Sequence, residues 1–291
     1  MDPLNCEATF RIALLPDNQI TAVPRLSAVA FVFDIPGVGR QLEALEVGGK
    51  LYRCHEQPNS LLKTLPASLG KLGALKQLSL AGLDGLEELP DAVVGLTSLG
   101  SLTIQDCDKL MALPRGIGKL GALKQLTVVG LYELQEMPDL IGLTALGSLT
   151  IECCGKVRRL PASIMHLSRL QKLSIDAPLE DMPCIKALTA MRELHLTVAH
   201  YADGSCAFTA LSRSLPCLQL LQVLRLRAYD MDDNGDDCRY VALQAGDVLA
   251  IGSALKAWPM PLLHDVDDHD DYAETSWPGQ GLGSSLSSPC A

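Results

Sequence analysis

Residues 89–114 read LPDAVVGLTSLGSLTIQDCDKLMALP, and this stretch decides the fold. Leu89-Pro90 opens it and Leu113-Pro114 repeats that pair 24 residues later, with Leu96, Leu99, Leu102 and Ile104 spaced L-x-x-L-x-x-L-x-L between them. Outward in both directions, Leu-Pro or Met-Pro recurs at Leu65-Pro66, Met137-Pro138, Leu160-Pro161 and Met182-Pro183. The steps are 24, 24, 24, 23 and 22 residues. The apolar string recurs with them at Leu72–Leu80, Leu120–Val128, Leu143–Ile151, Leu167–Ile175 and Ile185–Leu196, and after a longer spacer at Leu218–Leu226. A fixed period of this length marks stacked structural repeats.

The L-x-L unit places two apolar side chains on one face of a short strand, because side chains alternate along a strand with period 2. The flanking L-x-x-L and L-P-x-x-I-G-x-L segments turn the chain and bury further leucines behind it. One such unit cannot close its own core, so neighbours stack and their strands form a parallel sheet along one side. Over residues 61–228 the chain resembles the leucine-rich repeat family. The fuller pattern L-x-x-L-x-L-x-x-C-x-x-L-x-x-L-P is similar to the repeat regions of plant intracellular immune receptors and of intracellular Ras-group leucine-rich repeat proteins. The resemblance implies an α/β repeat fold, a curved solenoid with the parallel sheet on its concave face. It also implies protein recognition in intracellular signalling or defence. A second reading is an adaptor that recruits substrates to a larger enzyme such as a ubiquitin ligase.

A duplication two repeats long is visible: Lys71–Leu78 is identical to Lys119–Leu126, and Leu99–Ile104 to Leu146–Ile151. The inward position after each strand alternates with it, as Leu83, Cys107, Leu131 and Cys154. Both cysteines read as buried thiols without redox function. Residues 1–60 read as an N-terminal cap containing degenerate repeats at Leu26/Val29/Phe31 and Leu42/Leu45/Val47. Residues 197–216 read as an insertion. An acidic turn and a capping helix over Val241–Trp258 occupy 229–263, with Pro259 as its stop. An acidic, then Gly/Ser/Pro-rich, disordered tail fills 264–291.

The chain has 291 residues, 48% hydrophobic and 20% charged, with a net charge of −10. From Tyr229 onward there are twelve Asp/Glu against two Lys/Arg; subtracted from totals of 34 and 24, this leaves 22 of each sign before it. A neutral body without a basic stripe argues against nucleic acid, and an acidic tail against an anionic membrane surface. No apolar run approaches a membrane span, and Arg11 and Pro16 interrupt the first apolar stretch, so no signal peptide is expected. Ten cysteines without C-x-x-C or Cys/His zinc spacing fit a reduced cytoplasmic monomer.

Searches for chemistry give little. Gly48-Gly49-Lys50-Leu51 has leucine where a phosphate loop needs Ser or Thr, so the resemblance implies recognition without nucleotide switching. The six histidines show no metal-ligand spacing. A hydrolase using His195 or His200 lacks an orienting third group. Asp230–Asp236 matches the first half of a calcium loop, but its twelfth position is Val241 rather than a bidentate glutamate, so it reads as a solvated acidic turn. No cofactor, no metal and no catalytic residue is expected.

The recognition face should consist of the side chains between the strand leucines. The central column is expected to run Ser79, Thr103, Thr127, Thr150, Ser174, His195, Arg225. The column before it runs Gln77, Ser101, Gln125, Ser148, Lys172, Glu193, Val223, and the column after it Ala81, Gln105, Val129, Glu152, Asp176, Val198, Arg227. Residue types that dominate interface energetics occur only late, which selects Arg192, His195, Tyr201, Arg225, Arg227 and Tyr229 as candidate partner-binding residues. The expected partner is a protein with an acidic surface, with the chain's own acidic tail as a weak competitor.

Overall fold

The strand leucines build an 11-stranded sheet whose strands follow chain order from one end to the other. The computed structural model describes residues 13–15, 19–22, 42–48, 63–179, 182–200, 208–231 and 238–241. The strands are β1 (Ala13–Leu15), β2 (Gln19–Ala22), β3 (Ala44–Gly48), β4 (Gln77–Ala81), β5 (Ser101–Gln105) and β6 (Gln125–Val129). They continue as β7 (Ser148–Glu152), β8 (Lys172–Leu179), β9 (Glu193–His200), β10 (Val223–Met231) and β11 (Cys238–Val241). Strands β2 to β10 run parallel, while β1 and β11 pair antiparallel at the two ends.

The three-residue leucine spacing has a direct cause on the back of the sheet. There the chain winds with bonds from each N–H to the carbonyl three residues earlier: Leu69 to Pro66, Leu72 to Leu69, Leu75 to Leu72, and likewise Val93–Leu96–Leu99 and Ile164–Leu167–Leu170. Three residues per turn keep every third side chain on one side, so all of these are buried. Pro66, Pro90 and Pro161, at φ −65° and extended ψ, launch such turns over Ala67–Lys71, Asp91–Gly95 and Ala162–His166. The helical half of the repeat is therefore a 3-10 turn over 67–71, 91–95, 117–119, 162–166 and 215–217, and is reduced to simple turns after Met137-Pro138 and Met182-Pro183. The α-helix among the described residues is α1, Phe208–Ser214, just before the last repeat.

Packing between the turns is close enough to exclude side chains. A Cβ on Gly118 would collide with the Ile141 carbonyl oxygen, and one on Gly70 would lie 2.5 Å from that of Ala92. The exits from β4, β5, β6 and β7 swing through the left-handed region at Gly82, Asp106, Gly130 and Cys153 (φ 64°, 52°, 67° and 54°). Their register lets Gly82 N–H bond to Gln105 C=O, Asp106 N–H to Val129 C=O and Gly130 N–H to Glu152 C=O. Glycine costs nothing there; Asp106 and Cys153 carry a Cβ penalty that their own repeat must offset.

One apolar core runs the length of the described body, from Leu42 to Leu226. Cys107 and Cys154 sit in it fully buried, their thiols donating to Gln105 and Glu152 carbonyls at 3.4 Å. Burial pushes them up to about 12 and about 11 respectively, so they are inert protonated groups.

Leu42, Leu45 and Val47 are buried and put β3 in parallel register beside β4. Val241, read above as the start of a capping helix, instead ends β11, because it pairs with Ala228 across the sheet edge. The Leu26/Val29/Phe31 pattern, the rest of that helix and the tail over 264–291 lie outside the described residues.

Candidate recognition face

Strand register fixes which side chains share the concave face. The central column runs Glu46, Ser79, Thr103, Thr127, Thr150, Ser174, His195, Arg225, each directly paired with the next. The preceding column runs from Gln77 through Lys172 and Glu193 to Val223, as the spacing predicts. The third column departs at one place: Thr197, not Val198, lies between Asp176 and Arg227. Thr197 follows Leu196 just as Asp176 follows Ile175, and the pairing is continuous through this point; the register shifts only beyond it, where Val198 pairs with Leu179 and the bulge takes up Ala177 and Pro178. Proline has no N–H to give to the ladder, so it suits a bulge.

The face changes character along its length. Strands β4 to β7 are five residues long, whereas β8 and β9 have eight and β10 has nine. The sheet therefore widens over the last repeats, where the charges also gather. Residues 197–200, assigned above to an insertion, extend β9 instead.

Of the six residues singled out, the structure brings four onto the adjacent strands β9 and β10. His195 is paired directly with Arg225, and Arg227 lies two residues further along β10. Arg192 is exposed in the turn leading into β9; its N–H bonds to Gln171 C=O, and its own carbonyl accepts from Gln222 and Val223. Tyr229 lies on β10 opposite Ala199 and Tyr240. Tyr201 is outside the described residues, as are residues 232–237 of the acidic turn; Asp230 and Met231 belong to β10.

Carboxylates interleave with these cations. Lys172 pairs with Glu193 at 3.2 Å, and Ser174 Oγ donates to Glu152 Oε1 at 2.8 Å. The charged side chains leave little room beneath them: Ser174 is 6% exposed and Thr197 4%. His195 is half-buried, with its Nε2 enclosed and without a hydrogen-bond partner. Burial, then Arg225 and Lys172, hold it below the usual histidine range against the opposing pull of Glu193 and Glu152, so it is neutral at pH 7.

Sequence reasoning missed two groups on the strand-exit rim: Tyr132, which is 55% exposed, and the half-buried Asp84, whose carboxyl is raised by burial and by Asp108 and Asp106. Asp84, Asp108 and Tyr132 follow the left-handed residue at equal spacing, so repeat alignment alone could have placed them together. Among the described residues no group of three His, Cys, Asp or Glu could hold a metal ion, and no helix is long and apolar enough to cross a membrane.

An open parallel solenoid with a broad polar sheet face defines a repeat protein of the recognition type. A family profile described as a leucine-rich repeat region matches residues 53–157. Among solved structures, the leucine-rich repeat domain of the type III effector XopL is 21% identical, matching 71% of this chain and 67% of its own at a TM-score of 0.51. A leucine-rich repeat protein of Leptospira interrogans is 19% identical over 74% of this chain and 71% of its own, at a TM-score of 0.26. The plant peptide hormone receptor RGFR1, solved in complex with RGF2, is 18% identical over 75% of this chain and 35% of its own, at a TM-score of 0.39. No curated protein sequence matches. The chain folds as a leucine-rich repeat solenoid, and residues 53–157 match that family's repeat profile.

Proposed function

We propose that this protein is a non-enzymatic scaffold that binds another protein on the concave face of its last repeats. One observation carries the reading: the sheet widens from five-residue to eight- and nine-residue strands where its face changes from hydroxyls and amides to charged groups. An open face suits a macromolecular partner better than a metabolite, which needs an enclosing pocket. Arginine offers bidentate pairing to carboxylates, so Arg225 and Arg227, with Arg192 and His195 beside them, favour a partner that presents acidic side chains there. Tyr201 and Tyr229 extend the proposed site. The acidic tail remains a proposed weak competitor, and the signalling or defence setting rests on the resemblance of the repeat pattern. A reducing, cytoplasmic location suits the free thiols of Cys153, Cys184 and Cys217, which stand exposed.

The test is affinity capture with three full-length proteins: wild type, Arg225→Gln/Arg227→Gln, and Gln77→Ala/Gln125→Ala on the early strands. A partner kept by the early-strand variant and lost by the arginine variant supports the placement. The opposite pattern moves the site to the first repeats.

A further inference from the structure

We propose that the late concave face reads an extended protein segment by its charge order, taking a basic side chain over Glu152 and Asp176 and an acidic one over Arg225 and Arg227. The inference deepens the recognition reading above and rests on it.

The order comes from strand register. Along the third column the sequence of groups is Glu152 on β7, Asp176 on β8, Thr197 on β9 and Arg227 on β10. Along the central column it is Ser174, His195, Arg225. Lys172 and Glu193 neutralise each other in the first column. The two other columns place two carboxylates on one side and two guanidinium groups on the other, with β9 between them. Thr197 is uncharged and His195 is held neutral, so β9 insulates the two halves. The exposed Arg192 in the turn before β9 adds to the positive side.

The spacing limits the segment. Neighbouring strands stand about 4.8 Å apart, so Glu152 and Arg227, three strands apart, are separated by about 14 Å. An extended chain crossing the strands advances about 3.3 Å per residue and shows every second side chain to the same face. Residues i and i+4 of such a segment are about 13 Å apart on one face, which matches; i+2 is too short and odd spacings point away. The segment therefore carries Lys or Arg at one position and Asp or Glu four residues away. A uniformly acidic segment would set its carboxylates against Glu152 and Asp176, and like charges across an interface select against the wrong partner. Asp176, Arg225 and Arg227 also interact within the chain, so the segment exchanges contacts with them. Arg227 is exposed and Glu152, Asp176 and Arg225 are half-buried; pairs that keep this contact with water are weak enough to exchange, each worth up to about fivefold in affinity.

The experiment is selection from a random twelve-residue peptide library on the full chain. Enriched peptides are then measured by fluorescence anisotropy against wild type, Glu152→Gln/Asp176→Asn and Arg225→Gln/Arg227→Gln. These near-isosteric changes lie on the face and leave the leucine core intact, and circular dichroism confirms folding. The expected result is enrichment of opposite charges four residues apart, with roughly tenfold weaker binding to each variant and further weakening at high salt. Uniformly acidic peptides that ignore Glu152→Gln/Asp176→Asn but lose affinity with Arg225→Gln/Arg227→Gln would overturn the charge order and leave recognition by this face standing. Peptides bound equally by both variants, or no enrichment, would overturn the charge order and the placement of the site together.

Discussion

Replacing Leu126 with alanine should separate the inward from the outward side of the sheet. Leu126 is fully buried in β6, paired with Leu102 on β5 and Leu149 on β7, which are equally buried. Three carbons are lost, worth about 2.4 kcal/mol at about 0.8 kcal/mol each. The flanking leucines are fixed by backbone ladders on both sides, so the cavity cannot collapse well and its own cost adds to the total. The expected loss is about 3–5 kcal/mol. Thr127, the next residue, is half-exposed on the concave face, and Thr127→Ala should cost under about 1 kcal/mol. Urea unfolding followed by circular dichroism measures both. In a protein of this size the leucine loss corresponds to roughly 2–4 °C in Tm per kcal/mol. Equal losses for the two variants would mean that the assignment of strand faces is wrong. A split transition in Leu126→Ala alone would show that the repeats on either side unfold separately, as nearest-neighbour coupling permits.

The remaining expectations concern titration, thiols and glycines. The folded pKa of His195 lies below its unfolded value of 6.5, so the unfolded chain takes up the proton first. Its stabilising contribution is complete above about pH 6.5 and is lost as pH falls through the folded pKa. Wild type should therefore lose stability relative to His195→Gln over that window, and parallel curves would refute the burial argument. Native-state alkylation read by peptide mass spectrometry should modify exposed Cys184, lowered chiefly by the Lys186 backbone hydrogen bond, well before Cys107 or Cys154; early modification of Cys107 would contradict its burial. Gly118→Ala drives its Cβ into the Ile141 carbonyl oxygen and should cost roughly 1–3 kcal/mol. Gly73→Ala meets nothing within 4 Å and should be neutral or stabilising by up to about 1 kcal/mol. A thermal melt that ranks these two the other way would show that the turns do not pack as described.

The sequence by itself determined the repeat period, the inward leucines and almost all of the three face columns. These follow from local rules: alternation on a strand, three residues per turn behind it, and a fixed step between copies. Ser79 through Arg225 could be aligned from sequence because each strand starts at the same point of its repeat. Tertiary structure decided what depends on neighbours. The bulge of β8 at Ala177 and Pro178 is such a feature, because only pairing with β9 shows that Val198 meets Leu179. Strands β8, β9 and β10 run long because each finds a partner beyond the repeat core, so residues 197–200 join the sheet. Val241 joins it for the same reason, against a helical periodicity that suits either state locally. His195 is a polar residue at an outward position in the sequence. Only the stacked strands, with Lys172 on one side and Arg225 on the other, enclose its ring and hold it neutral.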